Sequence, residues 1–111
     1  MAYSEDLLLF VLDQLEPFGG VSYKKMFGGI GFYKEGVMFG GIMAGELHFK
    51  VDDNSRPLFI AEGMEPFHHG PKNKPMASYY KVPARIIEDQ DAMTEWAARA
   101  LQAALAKKKK K

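Results

Sequence analysis

Apolar residues at Leu7, Leu8, Phe10, Val11, Leu12 and Leu15 recur at the spacing of one broad helical face. Ser4 followed by Glu5 and Asp6 supplies a cap and an acidic first turn. The pattern predicts a helix over residues 4–16, ended by Pro17, Gly19 and Gly20. Asp6, Leu9, Asp13 and Glu16 fall on the opposite stripe, which leaves Leu9 among acids, either exposed or covered by a partner.

From Val21 to Val51 the period changes to two, with β-branched and aromatic residues separated by glycine-containing turns. Strands are expected at 21–27, 30–34, 37–43 and 47–51. Turns fall at Gly28-Gly29, Lys34-Glu35-Gly36 and Ala44-Gly45-Glu46. In the last strand Leu47, Phe49 and Val51 face inward while His48 and Lys50 face away. Residues 37–43 are apolar on both sides and predict a central strand, with Gly40 and Gly41 permitting a bulge or a close approach.

After Asp52-Asp53 a short helix is expected, capped by Asn54 or Ser55 so that Pro57 sits in the first turn, and stopped by Gly63. Residues 63–75 hold three prolines and two glycines and read as the longest irregular stretch. A strand at 76–82 follows, then a helical turn opened by Pro83. Asp89 or Asp91 caps the last helix, which turns Met93, Trp96, Ala97, Ala100, Leu101 and Ala104 to one side. The elements describe a two-layer α+β single domain. One antiparallel meander sheet carries the N-terminal, short middle and C-terminal helices on one face.

The 111 residues bound this to one core, and fourteen aromatics with 47% hydrophobic residues argue against disorder. Five of the fifteen bases form the run Lys107 to Lys111, and without it the body carries ten bases against fourteen acids. Both ends of that body are negative and residues 17–85 are positive. The lysine run reads as the solvated end of a helix, set beside a nucleic-acid-binding or membrane-surface tail. The absence of cysteine rules out disulfides, thiolate metal sites and a cysteine nucleophile. With no signal-like start and no membrane-spanning run, a soluble cytoplasmic protein is expected.

Candidate chemistry is sparse. Gly28-Gly29-Ile30-Gly31 lacks the GxGxxG pattern and a following helix, and reads as a tight turn. His68 and His69 are adjacent and His48 lies on a strand, a poor geometry for one ion, so no metal is expected. Ser4, Ser22, Ser55 and Ser78 have no catalytic context, and Asp52 and Asp53 read as a strand end leading into a helix cap. No catalytic residue, cofactor or small-molecule ligand is expected.

The blocks Lys24-Lys25-Met26-Phe27-Gly28-Gly29-Ile30-Gly31-Phe32, Leu47-His48-Phe49-Lys50-Val51-Asp52, Glu65-Pro66-Phe67, Tyr79-Tyr80-Lys81-Val82-Pro83 and Trp96-Ala97 stand in an order that resembles the N-terminal domain of the TfoX/Sxy family. The resemblance covers roughly residues 5–105. It implies a two-layer α+β domain at 1–106 with a lysine tail at 107–111, and carries no established catalytic residue. The family's best-known members are two-domain regulators of bacterial competence genes, acting with a transcription activator. A regulatory or adaptor role is what the resemblance implies.

If strand alternation holds, Lys24, Tyr33, Met38, His48, Lys50, Tyr79 and Lys81 share the outward sheet face, and the loop bases Lys72 and Lys74 extend it. Such a face is either solvated or a partner site. The partner would be a protein met through this face or through Leu9, with self-association as one form. Weakly specific nucleic-acid binding by the Tyr/Lys face and the lysine tail is the alternative.

Overall fold

The computed structural model describes residues 5–26, 28–69 and 74–109. The expected cap Ser4 and loop residue Lys72 lie outside the described residues. The first helix, α1, spans Glu5–Gln14 and buries Leu8, Val11 and Gln14. Gln14 Nε2 donates to the Ile87 carbonyl at 2.9 Å, satisfying a polar group that would otherwise be stranded on the buried side. Phe10 departs from the expected apolar face: it is 42% exposed, next to Leu9 at 62%.

Four strands follow as consecutive antiparallel hairpins: β1 (Ser22–Met26), β2 (Gly29–Lys34), β3 (Val37–Met43) and β4 (Glu46–Lys50). Glu35 and Gly36 (φ 54° and 80°) form one two-residue turn, and Ala44 and Gly45 (φ 54° and 78°) the next. Positive φ at both central positions matches the right-handed twist of the flanking strands. The register of β2 on β3 shifts between Phe32 and Tyr33, and the extra residue is Phe39. Phe39 is fully buried against Phe18 and Phe49, at ring-centroid distances of 5.6 and 6.0 Å.

Helix α2 spans Arg56–Ala61 with Ser55 at its N-cap. Asp52 does the capping work, because its Oδ1 accepts from the backbone of Asn54 at 3.0 Å and of Ser55 at 2.9 Å. At the other end Gly63, at φ 77°, lets its own N–H reach the Ile60 carbonyl and Met64 N–H reach that of Phe59. This pair of bonds closes a Schellman motif.

The segment expected to be irregular contains a sixth strand. β5 (Pro66–His69) pairs with β6 (Lys74–Lys81), and the sheet order is β1-β2-β3-β4-β6-β5. The meander therefore covers only the first four strands, and the chain leaves the sheet through α2 before returning. Its margins are blunted: β1 carries Lys24 and Lys25, and β5 has four residues beginning with a proline.

Helix α3 (Ala84–Ile87) follows Pro83, and α4 (Gln90–Lys109) is capped by Asp89, whose Oδ1 accepts from Asp91 and Ala92 at 3.1 Å. α4 lies on β3 and β4 and presents Met93, Trp96, Ala97, Ala100, Leu101 and Ala104 to the core, as its spacing predicts. Trp96 meets Phe59 edge to face at 4.7 Å, which clamps α2 to α4. The helix continues through Lys109, so the lysine run begins as ordered helix. No helix among the described residues is long and apolar enough to cross a membrane.

Candidate functional site

The pairing register fixes which side chains share the surface away from the helices. One cross-strand row reads Lys24, Gly31, Gly41, His48, Lys81, from β1 through β6. A second row on the same face contains the pairs Tyr33 with Met38 and Lys50 with Tyr79. The rows facing the helices hold Ile30, Ile42 and Leu47, and then Phe32, Gly40, Phe49 and Tyr80, all in contact with the core. All seven expected outward residues are thus on one face, with Met38 reaching it because the extra residue Phe39 interrupts the alternation of β3.

Their exposure differs from the expectation. Lys24 is open to solvent, while Tyr33, Met38, Tyr79 and Lys81 are half-buried. His48 is fully buried and Lys50 is only 9% exposed, which corrects the reading of both as free surface groups. His48 is covered in part by the Phe67 ring of β5, with centroids 5.1 Å apart at 77°. The last hairpin has a large register change: Pro66 pairs with Tyr80, yet the next residue, Phe67, pairs with Met76.

Aromatic rings and ammonium groups alternate on what remains. Lys24 Nζ lies 5.7 Å from the Tyr33 ring centroid and Lys50 Nζ lies 4.9 Å from that of Tyr79. Burial raises the Tyr79 pKa above the usual phenol range, and the nearby Tyr33 raises it further. Burial likewise lowers the Lys50 pKa, and Lys107 of α4 adds to the depression by placing a second cation beside it. Lys81 is neutralised by Glu46 at 3.2 Å.

Beneath the rings, Gly31 and Gly41 form a floor. A side chain at Gly31 would meet Met26 Cε at 3.1 Å, Tyr33 Cε1 at 3.1 Å and Met38 Sδ at 3.3 Å, so these groups already occupy the space that glycine leaves. Met26, Phe67 and Lys107 are members of this surface that the sequence reading missed. Met26 was legible, being two residues from Lys24 on the same strand; Phe67 depended on a strand that local pattern conceals.

Two expected contributors stand apart. Leu9 is on α1, which packs on α4 on the helical side of the sheet, so Leu9 and Phe10 form a separate apolar patch. Lys74 begins β6, and its side chain is not among those described. An open cleft of about 450 Å³ lies between Leu7, Glu46, Met64, Lys81 and Ile87. Neither His48 nor Lys50 lines it. Among the described residues no cluster of three His, Asp or Glu side chains is arranged to hold a metal ion.

No curated protein matches the chain. The sequence model of the TfoX N-terminal domain, in contrast, matches residues 13–104. That span contains every strand, α2, α3 and most of α4, and the chain belongs to the TfoX N-terminal domain family.

Proposed function

We propose that this domain is a non-enzymatic regulatory or adaptor module that binds a protein through the outward sheet face. Family membership supports the regulatory role in general. Regulation of competence or transcription in a bacterial cytoplasm is the specific setting that the family's best-known members suggest. The observation that carries the binding reading is the half-buried Tyr33, Met38 and Tyr79 surface flanked by Lys24 and Lys50, with Lys107 beside Lys50. Adjacent cations favour an anionic partner, and the aromatic and thioether area favours an apolar anchor. A protein segment combining Asp or Glu with an apolar side chain has this complementary chemistry.

Nucleic acid is the second reading, favoured by the approach of Lys107 to Lys50. It is the weaker one because Lys24 and Lys50 already occupy positions over the tyrosine rings, where a base would have to stack. A photo-crosslinking residue placed at Tyr33 in the full chain, with one at Leu58 on α2 as control, tests the proposal. Crosslinks to one protein from Tyr33 alone, unchanged by nuclease, are expected. The identified partner should then bind Tyr79→Ala about tenfold more weakly than the parent chain. Crosslinks from Leu58 but not Tyr33, or products that disappear with nuclease, overturn it.

A further inference from the structure

His48 is the one buried side chain among the described residues whose polar atom has no partner: Nε2 is sealed from solvent and makes no hydrogen bond. The other ring nitrogen settles the proton's position. Nδ1 lies 2.9 Å from the Glu46 carbonyl, and a carbonyl only accepts, so Nδ1 carries the hydrogen and Nε2 is bare. A bare nitrogen against a phenyl ring is tolerated. An imidazolium there has a new N–H donor with no oxygen or nitrogen acceptor in a site closed to solvent, and a phenyl ring compensates only weakly for the lost hydration.

The cover over His48 comes from an edge of the sheet whose ladder is interrupted. β5 is a four-residue edge strand that begins at Pro66, and its residue His68 pairs with Pro75, so two positions of the hairpin lack an N–H. The register breaks between Pro66 and Phe67. Below the break, the Lys81 N–H donates to the Glu65 carbonyl at 3.1 Å and holds the root of the strand. Ser78 of β6 gives its carbonyl to Val51 rather than to β5. Phe67 to His69 pair with residues 74–76 of β6, whereas β4 pairs with Tyr79 to Lys81, so the two sets of ladder bonds do not overlap.

We propose that His48 is a proton-sensitive latch: neutral, it accepts Phe67 and keeps β5 closed on the outward face; protonated, it releases β5 and opens that part of the face. The described charged groups around it are few. β4 contributes Glu46 and Lys50, β6 contributes Lys81 directly opposite, β3 contributes only Gly41, and β5 contributes the uncharged Phe67. Burial lowers the His48 pKa below the ordinary histidine value, against the opposing pull of the Glu46 carbonyl and carboxylate, and Lys81 lowers it further. Because the closed state has the depressed pKa, closure is fully favoured above the open-state value of about 6.5 and weakens as pH falls through it. The latch is a property of the free protein and stands whether or not the partner proposal holds.

NMR on the full chain from about pH 8 to about pH 4.5 reads it directly. The His48 ring is expected to titrate below the ordinary value. Amide exchange of Phe67 and His68, corrected for its intrinsic pH dependence, is expected to rise about tenfold in step with that titration while β2 and β3 stay protected. In His48→Phe the rise disappears. Should that variant fail to fold, Phe67→Ala replaces it, and the His48 titration moves up toward its ordinary value. A His48 that titrates normally in the parent chain overturns the latch, as does β5 opening that persists in His48→Phe or a titration unmoved by Phe67→Ala.

Discussion

Gly31 and Gly41 face each other across β2 and β3 on the outward surface, yet the atoms that crowd them differ in kind. A Cβ at Gly41 would stand 2.5 Å from the Ile30 carbonyl oxygen, which is fixed by the sheet. One at Gly31 would press on the ends of the Met26, Tyr33 and Met38 side chains, which can turn aside. Gly41→Ala is therefore expected to cost about 2 kcal/mol in denaturant unfolding and Gly31→Ala less than half of that. Equal costs would show that the two positions are alike.

Phe59 joins three elements, lying on α2 at 4.7 Å from Trp96 on α4 and 6.1 Å from Tyr80 on β6, and is 2% exposed. Phe59→Ala opens a cavity that neither ring can fill without moving its element. Destabilisation of about 3–5 kcal/mol is expected, with a shift in tryptophan emission, since Trp96 is the chain's one tryptophan. An unchanged emission maximum in the folded variant would mean that α4 is positioned by other contacts.

Asp52 and Asp53 are neighbours with unequal duties. Asp52 Oδ1 takes two backbone donors before α2, whereas Asp53 forms an exposed ion pair with Arg56 at 2.7 Å. Asp52→Ala is expected to cost about 1 kcal/mol and Asp53→Ala about a third of that, measured by thermal unfolding at neutral pH.

Glu62, at the C-cap of α2, is joined to α3 by two hydrogen bonds from Arg85, one from Nε at 3.0 Å and one from Nη2. The Arg85 guanidinium holds the Glu62 carboxyl below the usual carboxylate range. A depressed acid contributes stability above its unfolded pKa and loses it as pH falls through its folded one. In Arg85→Ala the Glu62 carboxyl resonance should titrate at higher pH, back in the ordinary range. Its failure to move would detach the shift from this pair.

Most of the architecture is written in local signals. The Glu35-Gly36 and Ala44-Gly45 turns, Pro57 in the first turn of α2, Gly63 beyond its end and the Met93 to Ala104 stripe each name a backbone geometry from nearby residues. β5 does not. Pro66, Gly70, Pro71 and Pro75 punctuate it like a loop, and its pairing depends on a register jump along β6 that no period reveals. That single omission propagates, because the burial of His48 follows in part from Phe67 on the unseen strand. Lys50 hides for a different reason, its stem lying over Tyr79 where Lys107 also arrives, a contact between residues far apart in sequence. Phe10 was misplaced because α1 meets α4 along a narrower strip than its run of apolar residues offers.

The blunted margins of the sheet have a consequence for how copies of this chain behave when crowded. Lysines along β1 and a proline at the start of β5 deny an incoming backbone the regular ladder that fibril growth requires. Concentrated solutions should remain clear and free of thioflavin-positive material.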